Sequence, residues 1–173
     1  MIDIETLGVS NNSVIATIAA IKFELNDVYS HLDEMQTFYK RIDINSCKSL
    51  KMKTSKDTLD WWSKQPENAK REIFSEQNRV SIRTALRELS DFCKGCTQFW
   101  SQGVCFDFPI LENAFLKCKM SFPWKFWQIR DTRTIFSFCE VERKKQNLHH
   151  ALHDCHDQIN TLKKAYNKFF EFS

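Results

Sequence analysis

The stretch MIDIETLG, residues 1–8, opens the chain with apolar and acidic residues in alternation, which predicts a β-strand. Successive side chains of a strand point to opposite faces, so Asp3 and Glu5 share one face while Ile2 and Ile4 share the other. Two carboxylates on one face repel each other, and burying them unpaired costs free energy. We therefore expect either water or a cation to cover the acidic face of this strand.

This strand begins a predicted antiparallel meander of three strands. The second strand is the Val-, Ile- and Ala-rich stretch 13–25. A turn at Asn26 and Asp27 follows, and the partly alternating stretch 28–42 predicts the third strand. Consecutive strands joined by short connections pair most simply as antiparallel neighbours, which places the acidic strand at the start of the sheet.

Helices and two further strands follow the meander. Ser55 predicts the cap of a helix that ends before Pro66, and Ser81 predicts the cap of the next helix. Residues 97–104 and 125–131 predict two more strands, and a helix follows each of them. The helices after these strands and at the end of the chain carry apolar residues at helical spacing: Ile110, Leu111, Ala114, Phe115 and Cys118, then Leu152, Cys155, Ile159, Leu162, Tyr166 and Phe169.

These elements predict an α/β fold, with a mixed five-stranded sheet (the three-strand antiparallel meander plus two further strands) and helices on both faces. The length of 173 residues favours a single domain over residues 1–173. Seven cysteines, an odd number, indicate reduced thiols rather than a disulfide framework. No apolar stretch is long enough for a membrane span, and no signal peptide is evident, so we expect a cytoplasmic protein without membrane contact. The net charge of +3 permits a nucleic-acid partner without requiring one.

Acidic residues also mark the ends of later elements. Asp107 lies between a predicted strand and an amphipathic helix, with Pro109 after it, and the simplest interpretation is an N-cap. Asp131 has the same interpretation before the next helix. Asp154 falls in the first turns of the last helix, where the helix dipole favours an acid. We expect the strand ends to bring some of these acids back toward the first strand.

Three motifs in order resemble the DEDDh (DnaQ-like) branch of the 3′–5′ exonucleases. They are Asp-x-Glu-x-x-Gly at residues 3–8, Phe-Asp-x-Pro at 106–109 and His-x-Ala-x-x-Asp at 149–154. The stretches 58–71, 125–134 and 153–159 are similar to phage and bacterial members of this branch, so the similarity covers nearly the whole chain. The resemblance implies an RNase H-like fold and a metal-dependent nuclease.

Carried over residue by residue, the resemblance implies that four carboxylates hold two divalent metal ions, Mg²⁺ or Mn²⁺. Asp3 would bridge both ions, Glu5 and Asp154 would bind the ion that holds the attacking water, and Asp107 would act on the second ion. Hard cations of this kind prefer oxygen ligands, and two of them can activate water and stabilise a leaving oxygen. A shared cation would also explain why two acids are tolerated side by side on the first strand.

A histidine is expected as the general base that deprotonates the attacking water. The resemblance implies His149, because the family places this histidine five residues before the last aspartate, here Asp154, whereas a one-residue shift in the loop would bring in His150 instead. His149 can reach the acidic residues if the last helix begins near His150, because it then lies on the loop that enters the helix. An imidazole titrates near neutral pH, which suits this task.

The resemblance also implies substrate contacts. Leu7 and Gly8 would face the terminal nucleotide, and Phe106 and Phe108 either stack on a base or pack in the core. Trp61 and Trp62 are adjacent on one helix, so only one of the pair can face inward and the other is free to line the cleft. The basic residues 143–145 are either phosphate contacts or solvated loop residues.

The resulting hypothesis is a 3′–5′ exonuclease that releases nucleoside 5′-monophosphates from single-stranded DNA, with RNA as the other substrate. One alternative is a non-catalytic nucleic-acid-binding module on the same fold, but the intact set of five candidate catalytic residues argues against it. The other alternative is an endonuclease of the RNase H type, which an open groove would favour and a closed pocket for one 3′ end would not. A homodimer remains open.

Overall fold

The computed structural model describes residues 1–26, 35–138 and 149–171, with side chains described up to residue 168. Six strands and seven α-helices are found in these ranges. The strands are β1 (Ile2–Thr6), β2 (Ile15–Ile21), β3 (Thr37–Ile42), β4 (Arg79–Val80), β5 (Phe99–Ser101) and β6 (Ile129–Asp131). The helices are α1 (Ile44–Ser49), α2 (Lys56–Ser63), α3 (Glu67–Phe74), α4 (Ile82–Phe92), α5 (Val104–Lys117), α6 (Thr132–Phe138) and α7 (Ala151–Glu171).

The predicted meander is confirmed by the strand pairing. β1 and β3 both pair antiparallel with β2, so that Asp3 lies opposite Ala19, which in turn lies opposite Tyr39. The two-residue strand β4 joins the other side of β3 in parallel and was not predicted, because two residues show no periodicity. Residue 27 of the predicted turn and residues 28–34 of the predicted third strand lie outside the described residues.

The predicted continuous five-stranded sheet is not confirmed. β5 and β6 pair in parallel as a separate two-stranded sheet, and within the described residues no ladder joins them to the four-stranded sheet β1-β2-β3-β4. Each of the two strands has three residues, which is shorter than the stretches that the sequence predicted. Their parallel register sets Ser101 beside Asp131, so the segments that follow both strands begin at the same edge.

Apolar side chains on the two faces of the sheet explain the helical layers. One core combines Ile2, Ile4 and Ile18 of the sheet with apolar residues of α1, α4 and α5. The other combines Ala19 and Ile21 with Ala151, Cys155, Ile159, Leu162 and Ala165 of α7. Helices therefore lie on both faces, as predicted, and the face that carries Asp3 and Glu5 is the one toward α7.

The predicted helix starts are met at two places and shifted at a third. Ser81 accepts a hydrogen bond from the Thr84 N–H, and Asp131 accepts one from the Arg133 N–H, as caps should. Asp107 is not an N-cap, because α5 begins three residues earlier at Val104 and Gly103 caps it in the left-handed conformation. Among the described residues, no helix has both the length and the apolar character that crossing a membrane requires.

Candidate active site

The acidic face of β1 meets the start of α7. Ile2, Ile4 and Thr6 are buried in the opposite face, while Asp3 and Glu5 are only partly buried, as the alternation predicted. One carboxylate oxygen each from Asp3, Glu5 and Asp154 lies within 4.8 Å of the other two. A strand near the start of the chain and a helix near its end thus bring three acids together.

The position of Asp154 follows from where α7 begins. The helix starts at Ala151, and the N–H of Asp154 donates to the carbonyl of His150 at 2.9 Å, so the side chain lies in the first turn. The positive end of the helix dipole favours a carboxylate there. Cys155 and Ile159 anchor this turn in the core against the sheet, which holds Asp154 over the first strand.

Asp107 lies in the first turn of α5 and is the most deeply buried acid of the group. It is 4% exposed and lines the same cleft of about 220 Å³ as Asp3, Glu5 and Asp154. Removal from water raises the pKa of Asp107 to about 7, and the positive charge of Arg133 acts in the opposite direction. Without a cation, this site therefore strongly disfavours the charged form of the carboxyl group.

Repulsion among these acids is also evident at Asp3. Burial raises the pKa of Asp3 well above its usual range, and the negative charges of Asp107, Glu5 and Asp154 raise it further. A divalent cation would cancel this repulsion, and carboxylate oxygens are the ligands that Mg²⁺ and Mn²⁺ prefer. The four acids therefore fit a divalent metal by their chemistry and their mutual repulsion, and Asp3, Glu5 and Asp154 fit it also by their mutual distances.

Gln158 holds the central acid in place, and sequence reasoning missed it. Its Nε2 donates to Asp3 Oδ1 at 2.8 Å, and its side chain, 7% exposed, lines the cleft. Its Oε1 is buried without a hydrogen-bond partner among the described residues. The signal was available, because a residue four positions after Asp154 lies on the same face of a helix. The other missed residues of this cleft are Gln102, Arg133, Asp157 and Thr161.

The two adjacent histidines lie against different surfaces. His149 has a φ of 68° on the loop that enters α7, and its ring packs edge-on against Trp61 and Trp62 with centroids 4.7 and 5.9 Å away. His150 instead stacks on Tyr39 at 4.9 Å and on His153 at 4.3 Å. Burial lowers the pKa of His150, so its neutral form is favoured.

A second, more apolar cavity of about 450 Å³ adjoins the acidic cleft and shares Ile4, Glu5 and Phe106 with it. Gly8 and Trp61 line its walls. The tryptophan pair divides as the sequence predicted, since Trp62 is 1% exposed and Trp61 is 42% exposed. The Nε1 of Trp62 donates to the carbonyl of Thr6 at 2.9 Å, which ties α2 to β1 next to the acids.

Two of the four residues expected to contact substrate lie in the core instead. Phe108 is 2% exposed and packs edge-on against Trp124, with ring centroids 4.9 Å apart. The Leu7 side chain is buried, and its backbone N–H and C=O already bond to Val14 and Ser55. Burial stabilises both apolar side chains, and neither residue is among those that line the two cavities. Residues 143–145 lie outside the described residues.

The cleft of acids could hold a metal ion and lies beside an apolar cavity, and the comparisons with known proteins define the class. Residues 1–166 match the family described as the 3′–5′ exoribonuclease Rv2179c-like domain, so the chain belongs to this family and is an exonuclease. The exodeoxyribonuclease of Enterobacteria phage T4 is 28% identical over an alignment of 200 residues in length, which covers 95% of this chain and 87% of the phage protein.

Proposed function

We propose that this protein hydrolyses single-stranded nucleic acid from the 3′ end with divalent metal ions, releasing nucleoside 5′-monophosphates. The observation that carries the proposal is the convergence of Asp3, Glu5 and Asp154 within 4.8 Å, with Asp107 in the same cleft. Such a cluster is unfavourable for an apo protein and favourable for one that binds cations. Bound cations would make the cleft attractive to an anionic phosphodiester, which the acids alone would repel.

Asp3, Glu5, Asp107 and Asp154 are the proposed ligands of two ions, Mg²⁺ or Mn²⁺. When bound, the ions would activate the attacking water and stabilise the leaving 3′ oxygen. The chain's own contribution is to fix the carboxylates before the metal arrives. Gln158 supports this role for Asp3, because its amide fixes one carboxylate oxygen and leaves the other available as a ligand.

His149 is the proposed general base. Its contact with Trp61 sets its ring beside the apolar cavity that Glu5 also lines. His150 is less suited, because it stacks on Tyr39, two strands away from Asp3 or roughly 10 Å across the sheet. In this role a neutral His149 accepts a proton from the attacking water, and the acids keep the resulting imidazolium close to negative charge.

The apolar cavity beside the acids is the proposed site of the 3′-terminal nucleotide. Trp61 and Phe106 present aromatic surface there, and stacking of one base on one aromatic ring is worth about 1–3 kcal/mol. The backbone of Gly8 forms part of the cavity wall. A side chain does not fit at this position, because a Cβ would lie 2.7 Å from the Ser13 Oγ. A cavity for one terminal base supports an exonuclease over an endonuclease, and the burial of Leu7 and Phe108 argues against substrate contacts by their side chains.

DNA is the proposed substrate. The T4 relative, whose similarity extends over 95% of this chain, is named an exodeoxyribonuclease, while the matched family is described by its action on RNA. The test therefore compares cleavage of DNA with cleavage of RNA of the same sequence. The cytoplasmic location stays a prediction, and the six free thiols among the described residues support a reducing location. A homodimer is one alternative for the oligomeric state.

The test uses two oligonucleotides of one sequence, DNA and RNA, each labelled at the 5′ end and incubated with Mg²⁺ or Mn²⁺. A ladder that shortens from the 3′ end, faster for DNA and absent with EDTA or in Asp3→Asn, is expected. Asp60→Asn is the matched control, because this acid pairs with Lys56 on the exposed side of α2. Internal cuts, or no cleavage by a folded protein with bound metal, would contradict the proposal.

A further inference from the structure

Arg133 is the only lysine or arginine that lines the acidic cleft among the described residues. The other lining residues include five acids, namely Asp3, Glu5, Asp107, Asp154 and Asp157. Four of these acids are already assigned to the metal ions, so a structural counter-ion is not needed once the cations bind. The presence of one guanidinium in this cleft therefore requires a separate explanation.

The parallel pairing of β5 and β6 determines where Arg133 lies. The strands end side by side at Ser101 and Asp131, so the residues that follow both strands emerge at the same edge. Asp131 then accepts the N–H of Arg133 at 2.9 Å and fixes the backbone at the start of α6. Arg133 is thus anchored by its main chain, and it is one of the residues that line the cleft.

Gly103 provides the surface on which the guanidinium lies. Its φ is 119°, and a Cβ built there would be 3.2 Å from Arg133 Nη1 and 3.3 Å from Cζ. A side chain at this position would push the guanidinium away from the first turn of α5, where Asp107 lies. The absence of a side chain at residue 103 therefore keeps the guanidinium close to the acids.

No residue that the structure describes accepts a hydrogen bond from this guanidinium. Among the residues that the structure describes, no hydrogen bond or ion pair engages the Arg133 side chain, and the residue is exposed. Arg41 and Arg79, by contrast, each donate to several backbone carbonyls. An arginine with a fixed backbone, five donors that no described residue uses and a neighbouring cluster of proposed metal ligands is suited to a phosphate group.

We propose that Arg133 binds the second phosphate from the 3′ end, the one that precedes the scissile phosphate along the strand. This inference rests on the proposed function, in which the terminal nucleotide occupies the cavity lined by Trp61. Arg133 lines the acidic cleft but not that cavity, so it lies on the side where the remaining strand leaves the cleft. Successive phosphates follow one another along the backbone, and the first one past the acids meets the guanidinium.

The test replaces single phosphates by neutral methylphosphonates. Four 5′-fluorescein DNA oligonucleotides are compared: one unmodified, and three with the change at the first, second or third linkage from the 3′ end. Binding is measured by fluorescence anisotropy at low salt in EDTA, so that nothing is cleaved. The proteins are the wild type, Arg133→Ala, Arg133→Lys and the control Lys164→Ala, which removes one exposed positive charge from α7.

If Arg133 makes a charge-assisted contact with the second phosphate, the second-linkage methylphosphonate should weaken binding by the wild type about tenfold. The same change should not weaken binding by Arg133→Ala. Arg133→Lys should retain part of the effect, and Lys164→Ala should retain all of it. The rate of the first cleavage with Mg²⁺, measured as kcat/KM on the second- and third-linkage oligonucleotides, should follow the same pattern.

A second-linkage penalty that persists in Arg133→Ala would overturn the assignment. The assignment would also be overturned if Arg133→Ala abolished the loss of affinity caused by the first- or third-linkage methylphosphonate but not the loss caused by the second. Cleavage of unmodified DNA by the wild type distinguishes failure of this inference from failure of the proposed function. If the wild type degrades DNA from the 3′ end while the penalties do not depend on Arg133, only the phosphate assignment fails.

Discussion

Replacing Asp107 by Asn should stabilise the metal-free protein while it abolishes nuclease activity. Asp107 is 4% exposed, and its removal from water raises its pKa to about 7 against an ordinary value of 3.8. The folded state therefore binds this proton more tightly than the unfolded state does. As pH rises from about 4 to about 7, the wild type loses stability through this group, and above pH 7 the loss is complete.

The size of the effect follows from the shift in pKa. A difference of about 3 units, at 1.36 kcal/mol per unit, gives an upper bound of about 4 kcal/mol. Asn has nearly the same shape and no charge to desolvate, and its introduction also removes one of the charges that repel Asp3. We expect Asp107→Asn to raise the free energy of unfolding by about 2–4 kcal/mol at pH 8, and by less than about 1 kcal/mol at pH 4.5.

The assay is urea denaturation followed by tryptophan fluorescence, with both proteins in EDTA at pH 4.5 and pH 8. Adding Mn²⁺ at pH 8 should reverse the order, because a cation that binds only the folded wild type stabilises it by mass action. Asp60→Asn serves as the control, since an exposed ion pair contributes little and carries no burial penalty.

Two results would refute this reasoning. One is an Asp107→Asn protein that is no more stable than the wild type at pH 8 in EDTA. The other is a gain in stability of the same size at both pH values, which would indicate better packing rather than the removal of a buried charge. A gain that Asp60→Asn reproduces would point to net charge instead of the cleft.

The remaining predictions concern the proposed general base, the aromatic ring proposed to stack on a nucleobase, the amide that contacts Asp3 and the glycine that caps α5. His149→Ala should lower kcat about 10²–10⁴-fold, whereas His150→Ala should keep it within a few-fold; equal losses in steady-state assays would reject the assignment. Trp61→Ala should raise KM for DNA more than Trp61→Phe does, because a base loses about 1–3 kcal/mol of stacking; an unchanged KM would exclude this ring as a substrate contact. Gln158→Leu should weaken Mn²⁺ binding about 10–100-fold by calorimetry, and undiminished affinity would show that the amide does not position Asp3. Gly103→Ala should lower the free energy of unfolding by about 1–3 kcal/mol, since φ is 119° there; a neutral change in urea denaturation would contradict it.

Local periodicity was sufficient to predict the meander, the acidic face of β1 and the apolar face of α7. Alternation along a strand and spacing along a helix follow from backbone geometry, so a short stretch of sequence determines them. The same rule explains why Asp3 and Glu5 share a face and why only one of the two tryptophans is exposed. The candidate carboxylates were found this way, and the resemblance to known exonucleases linked them into one site.

Tertiary structure decided what periodicity does not encode. Phe108 is a core residue because Trp124, sixteen positions later, packs against it, and the sequence does not show that contact. Arg133 and Gly103 meet only because β5 and β6 pair in parallel register, and their strands are too short to predict that pairing. The face on which each side chain lies was a local property, but its distant partners were set by packing, which depends on the whole fold.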